Sequence, residues 1–126
     1  MKAKLEYTGL RVRDLDASVR FYTNVLGMKA GSRKTMPETK GVLVDLVSEG
    51  GGPPLELNYY EPGSPFAKEY AAGEALDHLG FKVSDLDQAI AEARKAGYPV
   101  VQEMASPTSR WVYVQDPNGI WIELYA

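Results

Sequence analysis

The chain has 126 residues, a net charge of −3 and no cysteine, and 44% of its residues are hydrophobic. These are the proportions of one ordinary globular domain, which can bury roughly two thirds of the surface that its unfolded chain would expose. The mixed charges lack the basic stripe of a nucleic-acid-binding protein, and no apolar run approaches the ~20 residues that cross a bilayer. We therefore expect a cytoplasmic protein that binds neither nucleic acid nor membrane, with no visible secretory signal because no apolar stretch follows the first lysines.

A strand and an amphipathic helix open the chain. Residues alternate in polarity from Tyr7 onward, which predicts a strand, and Asp14 is the expected N-cap of the helix that follows. Gly27 is the expected end of that helix. Four apolar positions share one helical face: Leu15, Val19, Tyr22 and Leu26. Three β-like runs come next, over residues 28–34, 41–47 and 55–59.

The second half of the chain repeats the first. Residues 61–75, with two prolines and two glycines, form the expected linker. After it, HLGFKVSDLDQA (78–89) matches YTGLRVRDLDAS (7–18) at a constant offset of 71 residues. The two segments are copies of one unit, so each half is predicted to contain a strand, a helix and three further strands.

The second copy carries its own helix and turn signals. Asp85 is the expected N-cap, Gln88 gives a capping-box pattern, and Gly97 marks the expected end of the helix. Further strands are predicted over residues 99–102, 110–115 and 120–125. The last two are joined by a strong hairpin signal, Asp116-Pro117-Asn118-Gly119, because Asn-Gly tolerates the positive φ angles of a tight turn.

Strand alternation separates an apolar face from a second, different face in each half. In the second half the apolar set, expected to pack on the helix, is Leu79, Phe81 and Val83. The other face has Gly9 or Gly80 at its middle, which leaves room above each sheet. Glu56 and Glu123 occupy matched positions between aliphatic residues and are expected to project away from the helix.

Two interpretations of these polar residues remain open. In the first, they simply face water, as on one side of many antiparallel sheets. In the second, the sheets curl so that side chains converge on a divalent cation, which offsets the cost of burying carboxylates without partners. The four residues of this predicted site are Tyr7, Glu56, His78 and Glu123. The pseudo-symmetry favours the second interpretation, because each half supplies one residue from its first strand and one from its last.

Four segments resemble the vicinal-oxygen-chelate superfamily, also called the glyoxalase/bleomycin-resistance/dioxygenase superfamily: YTGLRVRDLDASVRFYTNVLGMK, LELNYY, DHLGFKVSDLDQAIAEARKAG and YVQDPNGIWIELY. The chain is most similar to small bacterial lactoylglutathione lyases. The resemblance implies an α+β fold of two βαβββ modules with curled mixed sheets, residues 1–60 and 76–126, around the linker 61–75. It also implies a homodimer in which each curved sheet encloses a metal site.

The resemblance assigns roles to the polar residues. Glu56, His78 and Glu123 match three of the four metal ligands of those enzymes, and Tyr7 stands in the place of the fourth, a histidine. A phenol binds a metal ion directly only after it loses its proton, which costs free energy. Three roles for Tyr7 therefore remain open: a fourth ligand, a hydrogen-bond partner of metal-bound water, or a packing residue.

The same resemblance indicates residues that bind substrate. Arg11 matches the arginine that such lyases direct at the carboxylate of glutathione, or, as part of the repeat, it is a solvated strand residue. Tyr60 replaces an asparagine of those enzymes, and Asn58 lies two residues earlier on the face of Glu56. Most aromatic residues at strand spacing are expected to pack rather than to act: Tyr59, Tyr60, Trp111, Tyr113 and Trp121.

The chemistry implied is that of a metal-dependent lyase or isomerase. One imidazole and two carboxylates suit nickel, zinc, cobalt, manganese or ferrous iron. The cation would bind adjacent oxygens of a small substrate and stabilise an enediolate, while Glu56 and Glu123 remove and return a proton.

Three other functions are alternatives to this one. A non-enzymatic protein that binds a drug or natural product, as in the bleomycin-resistance branch, is the main alternative. Epimerase chemistry is less favoured. Extradiol ring cleavage is the least favoured, because it needs two histidines and one glutamate, and the chain has a single histidine.

Overall fold

Two structural units make up the chain, Met1–Glu69 and Tyr70–Ala126. The computed structural model describes residue 2 and residues 6–74, 76 and 78–126. Each unit has its own mixed sheet and its own helix, which confirms the predicted α+β class. Among the described residues, no helix is long and apolar enough to cross a membrane.

The first unit contains a five-stranded sheet. Its strands are β1 (Thr8–Arg11), β2 (Lys29–Ala30), β3 (Lys34–Met36), β4 (Gly41–Val47) and β5 (Leu55–Tyr60). Its helical segments are α1 (Leu15–Arg20), a π-helical turn (Phe21–Val25) and a 3-10 turn (Pro37–Thr39). The order is β1-β5-β4-β2, with β3 also on β4, and only β1 and β5 pair in parallel.

The second unit repeats this plan with four strands. They are β6 (His78–Lys82), β7 (Gln102–Ala105), β8 (Arg110–Gln115) and β9 (Trp121–Tyr125), with helix α2 over Leu86–Lys95. The order is β6-β9-β8-β7, and again the first strand pairs in parallel with the last. In both units the first strand therefore lies beside the last strand of its own unit.

Both predicted N-caps are confirmed. The Asp14 carboxylate accepts the Ala17 N–H at 2.9 Å, and the Asp85 carboxylate accepts the Gln88 N–H at 3.0 Å. Each bond satisfies one of the N–H groups that a helix start leaves without a partner. A capping box would also have the Gln88 side chain bonded to the Asp85 backbone N–H. That part of the prediction was wrong, because the Gln88 amide donates to Glu92 Oε1 at 2.8 Å instead.

The first helix differs from the prediction in its second half. It is α-helical only to Arg20 and then widens into the π-helical turn, after which Gly27 adopts φ 68° and ends it as expected. The Thr23 hydroxyl donates to the Val19 carbonyl at 2.8 Å within this stretch. The wider turn changes the buried face, which consists of Leu15, Ser18, Phe21 and Tyr22. Val19 and Leu26, which were predicted to belong to it, are half-buried.

Two predicted strands were misplaced. The run 28–34 divides into β2 and β3, which pair with opposite ends of β4, and the Gly31 N–H bonds the Asp45 carbonyl between them at 2.9 Å. The strand expected over 99–102 lies instead at Gln102–Ala105. Its four residues are all exposed. A strand without a buried face needs no alternation of apolar and polar residues, so the sequence carried no such pattern here.

The predicted hairpin turn forms, by a different backbone route. The Gly119 N–H donates to the Asp116 carbonyl at 3.0 Å. Of Asn118 and Gly119, which were both expected to allow a positive φ, only Gly119 adopts one, 81°. The Asp116 carboxylate accepts the N–H groups of Asn118 and Ile120, each at 2.8 Å. A Cβ at position 119 would lie 2.8 Å from Ala72 Cβ, so close approach of the chain also requires glycine there.

Each core lies on the helix side of its sheet. In the first unit the buried strand residues are Leu10, Val44, Leu46, Leu55 and Leu57. In the second they are Val112, Val114, Ile122 and Leu124, packed near the buried α2 residues Leu86, Ile90 and Ala93. Because side chains alternate along a strand, the residues between these point to the opposite, open face of each sheet.

Candidate functional site

His78 and Glu123 meet on the open face of the second sheet. His78 lies opposite Trp121 and Gly80 opposite Glu123 in the parallel β6–β9 pair. The His78 Nε2 atom lies 3.3 Å from Glu123 Oε2, and the side chains are 37% and 22% exposed. The structure therefore brings together the two predicted ligands of this unit, at a position that solvent reaches.

Tyr113 is a third member of this cluster, and sequence reasoning missed it. It lies directly opposite Glu123 on β8, and its hydroxyl donates to Glu123 Oε2 at 2.9 Å. Its ring centroid lies 5.7 Å from that of His78, edge to face, and 5.1 Å from that of Trp121. The sequence predicted only a packing role for Tyr113, but its hydroxyl also bonds Glu123. The alternation of side chains along β8 could have indicated this role, because it places Tyr113 on the same face of the sheet as Glu123.

Glu56 occupies the corresponding place in the first sheet. It lies between Gly9 on β1 and Asp45 on β4. The Asn58 amide donates to Glu56 Oε1 at 3.0 Å. A Cβ at position 9 would lie 3.4 Å from the Asn58 nitrogen and 4.0 Å from Glu56 Oε1, so the glycine leaves space above both side chains.

Asp45 and Lys34 add a charged pair beside Glu56 that was also missed. The Lys34 ammonium lies 2.8 Å from Asp45 Oδ2. This hydrogen bond and the charge of Asp45, with a smaller contribution from Glu56, raise the pKa of Lys34 above its ordinary value of 10.5. Asp45 faces Glu56 as Tyr113 faces Glu123, so the same alternation could have indicated it.

The three predicted substrate-binding residues lie in the same unit. The Arg11 guanidinium is 5.7 Å from the centroid of the Tyr60 ring. Tyr60 lies opposite Gly41, where a Cβ would come within 3.1 Å of its ring. Asn58 and Tyr60 help to line a small cavity of about 130 Å³; the other lining residues are Met36, Thr39, Gly41, Val42 and Leu43. Tyr7 precedes β1 and is 55% exposed.

The described residues thus form two polar clusters, one in each unit. One contains His78 and Glu123 with Tyr113, and the other contains Glu56 with Asn58. Over residues 6–74 and 78–126, no group of three or more His, Cys, Asp or Glu side chains stands ready to hold a metal ion. The four-residue site containing Tyr7 stays a prediction.

Comparison with known proteins gives the class of the chain. The profile of the Glyoxalase/Bleomycin resistance protein/Dioxygenase superfamily matches residues 4–124, so the chain belongs to this superfamily, as its motifs predicted.

Particular members are similar over almost their whole length. The lactoylglutathione lyase of Salmonella typhimurium is 36% identical over 126 residues, which cover 96% of this chain and 90% of the relative. The uncharacterized protein YwbC of Bacillus subtilis is 30% identical over 130 residues, covering 99% and 98%. Among solved structures, the trypanothione-dependent glyoxalase I of Leishmania major has a TM-score of 0.79 at 35% identity, covering 98% of this chain and 86% of that one.

Proposed function

We propose that this protein is a divalent-metal-dependent lyase or isomerase of the glyoxalase type, acting on a small substrate with oxygens on adjacent carbons. The observation that carries the proposal is the 3.3 Å separation of His78 Nε2 and Glu123 Oε2. Two ligand atoms at right angles around a cation, each about 2.1 Å from it, are about 3 Å apart. The pair is therefore spaced as neighbouring ligands of one ion.

The proposed ligand set is Glu56, His78 and Glu123, with Tyr7 as the candidate fourth ligand. An imidazole nitrogen and carboxylate oxygens are a donor set that nickel, zinc, cobalt, manganese and ferrous iron all accept. When bound, such a cation would act as a Lewis acid toward two adjacent substrate oxygens and stabilise the negative charge of an enediolate.

The protein's own residues move the proton in this proposal. One of Glu56 and Glu123 takes the proton from the hydroxyl-bearing carbon, and the other helps to return it to the neighbouring carbonyl carbon. The first carbon is oxidised and the second reduced, so product and substrate contain the same atoms. A positioned general base contributes a factor of about 10² to 10⁴ in rate. Arg11 and Asn58 would orient the remainder of the substrate.

We also propose a cytoplasmic homodimer, an assembly to which the family resemblance points. Size-exclusion chromatography with light scattering measures the mass directly. A species of twice the 13.9 kDa chain mass supports the dimer, and a monomer at working concentration contradicts it.

The function is tested by metal content and turnover together. Protein purified without chelator is expected to carry a stoichiometric divalent ion, and to convert the hemithioacetal of methylglyoxal and a low-molecular-weight thiol into a hydroxythioester. Glutathione and trypanothione are both tried as the thiol, because Tyr60 alters the expected glutathione contacts. Glu56→Gln and Glu123→Gln should each lose most activity, while Glu49→Gln, at a position 84% exposed, should keep it.

A non-enzymatic binding protein is the second candidate. Aromatic residues flank Glu123 on the open face, which suits a planar organic ligand, and Tyr7 stands where the lyases have a histidine. In that case the purified protein holds no stoichiometric cation, no thiol adduct turns over, and ligand binding survives Glu123→Ala.

A further inference from the structure

We propose that Tyr113 is a positioning residue of the metal centre, which holds both His78 and Glu123 in place for the cation. This inference rests on the proposed function and deepens it, because it assigns a role that the ligand set alone does not contain. Three independent contacts of Tyr113 carry it: one hydrogen bond and two ring contacts.

The hydrogen bond fixes the carboxylate. Tyr113 donates its hydroxyl proton to Glu123 Oε2 at 2.9 Å, the same oxygen that lies 3.3 Å from His78 Nε2. The two neighbours come from different strands, because β8 and β6 flank β9. An ionised carboxylate has lone pairs for several partners, so Glu123 could accept the bond from Tyr113 and still help to hold a cation.

The ring contacts fix the imidazole. The Tyr113 ring meets the His78 ring edge to face, with an angle of 80° between the planes. It also contacts the ring of Trp121, which lies opposite His78 on the adjacent strand. The three rings form one continuous cluster, so His78 cannot rotate freely about its side-chain bonds without losing aromatic contact.

The first unit shows that this arrangement is not an automatic result of the repeat. The residue opposite Glu56 is Asp45, whose carboxylate, when charged, can accept hydrogen bonds but not donate them. Asp45 is occupied by Lys34 instead. A donor opposite the glutamate is therefore a property of the second unit alone, at the place where the imidazole and the carboxylate meet.

The test is the binding of Co²⁺ alone to the full-length protein, without substrate. Tyr113→Phe removes the hydroxyl and keeps the ring. Its Co²⁺ dissociation constant, measured by calorimetry, is expected to rise about 10- to 100-fold, as is usual when an outer partner of a metal ligand is lost. The visible spectrum of bound Co²⁺ should change as well, because the carboxylate can then adopt other orientations. Tyr113→Leu, which also removes the ring contacts, should bind more weakly still.

Tyr125→Phe is the matched control. Tyr125 lies on the same face and on the strand of Glu123, and its hydroxyl bonds no other described residue. It should bind Co²⁺ with wild-type affinity. Melting of each variant in EDTA checks that the fold is intact. Because His78 is the only histidine, its single set of ring NMR signals reports directly whether Zn²⁺ reaches the imidazole in each variant.

The outcomes separate the inference from the function on which it rests. Wild-type affinity and spectrum in Tyr113→Phe overturn the positioning role while leaving the metal site standing. Equal losses in Tyr113→Phe and Tyr125→Phe overturn it too, since the effect would then be general. If the wild-type protein takes up no cation, the proposed function fails and the inference falls with it.

Discussion

Asp87 accepts a hydrogen bond from Arg110 Nη1 at 2.6 Å, which links the first turn of α2 to the start of β8. The same arginine donates through Nε to Glu103 on β7 at 2.7 Å. Asp16, at the position of Asp87 in the first unit, is bridged by Arg33 in the same way. The Asp-Leu-Asp repeat therefore has two roles in each unit: its first aspartate caps the helix, and its second binds an arginine from the sheet region.

These two roles predict different responses to salt. Asp85→Ala removes a cap and should lower the free energy of unfolding by about 1 kcal/mol, with a range of about 0.5 to 2. Asp87→Asn should cost less, because its 81% exposed carboxylate pairs in solvent. Urea denaturation with and without 1 M NaCl distinguishes them: salt should abolish the Asp87 effect and leave most of the Asp85 effect. Equal salt sensitivity would contradict the assignment.

The Lys34–Asp45 pair predicts a pH dependence at the alkaline end. The pKa of Lys34 is raised above 10.5 in the folded protein, so folding favours its charged form. The resulting stabilisation is complete below pH 10.5 and is lost as pH rises through the folded-state pKa. Unfolding free energies of the wild type and Lys34→Met should therefore differ by a constant amount from pH 7 to 10, and converge above that. Lys29→Met, which breaks only a 3.7 Å contact with Glu49, is the comparison.

Two glycines with similar backbone angles should differ in their tolerance of alanine. Gly119 and Gly97 have φ of 81° and 92°, so alanine is strained at both. Only at Gly119 would the new Cβ meet a described atom within 4 Å, Ala72 Cβ at 2.8 Å. Gly97→Ala is expected to cost about 1 kcal/mol and Gly119→Ala clearly more, measured as a shift in the urea midpoint. The reverse order would show that Ala72 moves aside easily.

Ile122 and Glu123 are neighbours on opposite faces of β9, and their substitution should separate stability from binding. Ile122 is fully buried, so Ile122→Ala should cost about 2 to 5 kcal/mol of stability. Glu123→Gln should melt near the wild-type temperature in EDTA. Added Co²⁺ should raise the melting temperature of the wild type but not that of Glu123→Gln, since a ligand stabilises only a state that binds it. Stabilisation of both proteins by Co²⁺ would place the ion elsewhere.

Much of the fold could be predicted because it depends on short-range signals. The period of the apolar residues, the two capping aspartates and the Asp-Pro-Asn-Gly turn all act within a few residues, and the repeat doubles each signal. The π-helical turn at Phe21–Val25 and the exposed strand Gln102–Ala105 were missed. The first changes hydrogen bonding without changing composition, and the second has no buried side to impose alternation.

The site was harder to predict than the fold. Glu56 and Glu123 stand out because a glutamate in a strand is unusual. Tyr113 and Asp45 do not, because a tyrosine suits any strand and an aspartate suits any wet surface. Their significance comes from lying opposite the glutamates, and register between strands distant in sequence is not visible in single-residue preferences.

Each sheet closes its first strand against its own last strand, so neither sheet borrows a strand from the other half of the chain. Over the part of the chain that the structure describes, every ladder of backbone hydrogen bonds between strands is therefore contained within about fifty consecutive residues. Residues 61–74 lie in no strand, and doubling the length of a flexible connection costs only about 0.6 kcal/mol of chain entropy. An insertion in this segment should therefore cost less stability than an insertion inside a paired strand of either repeat.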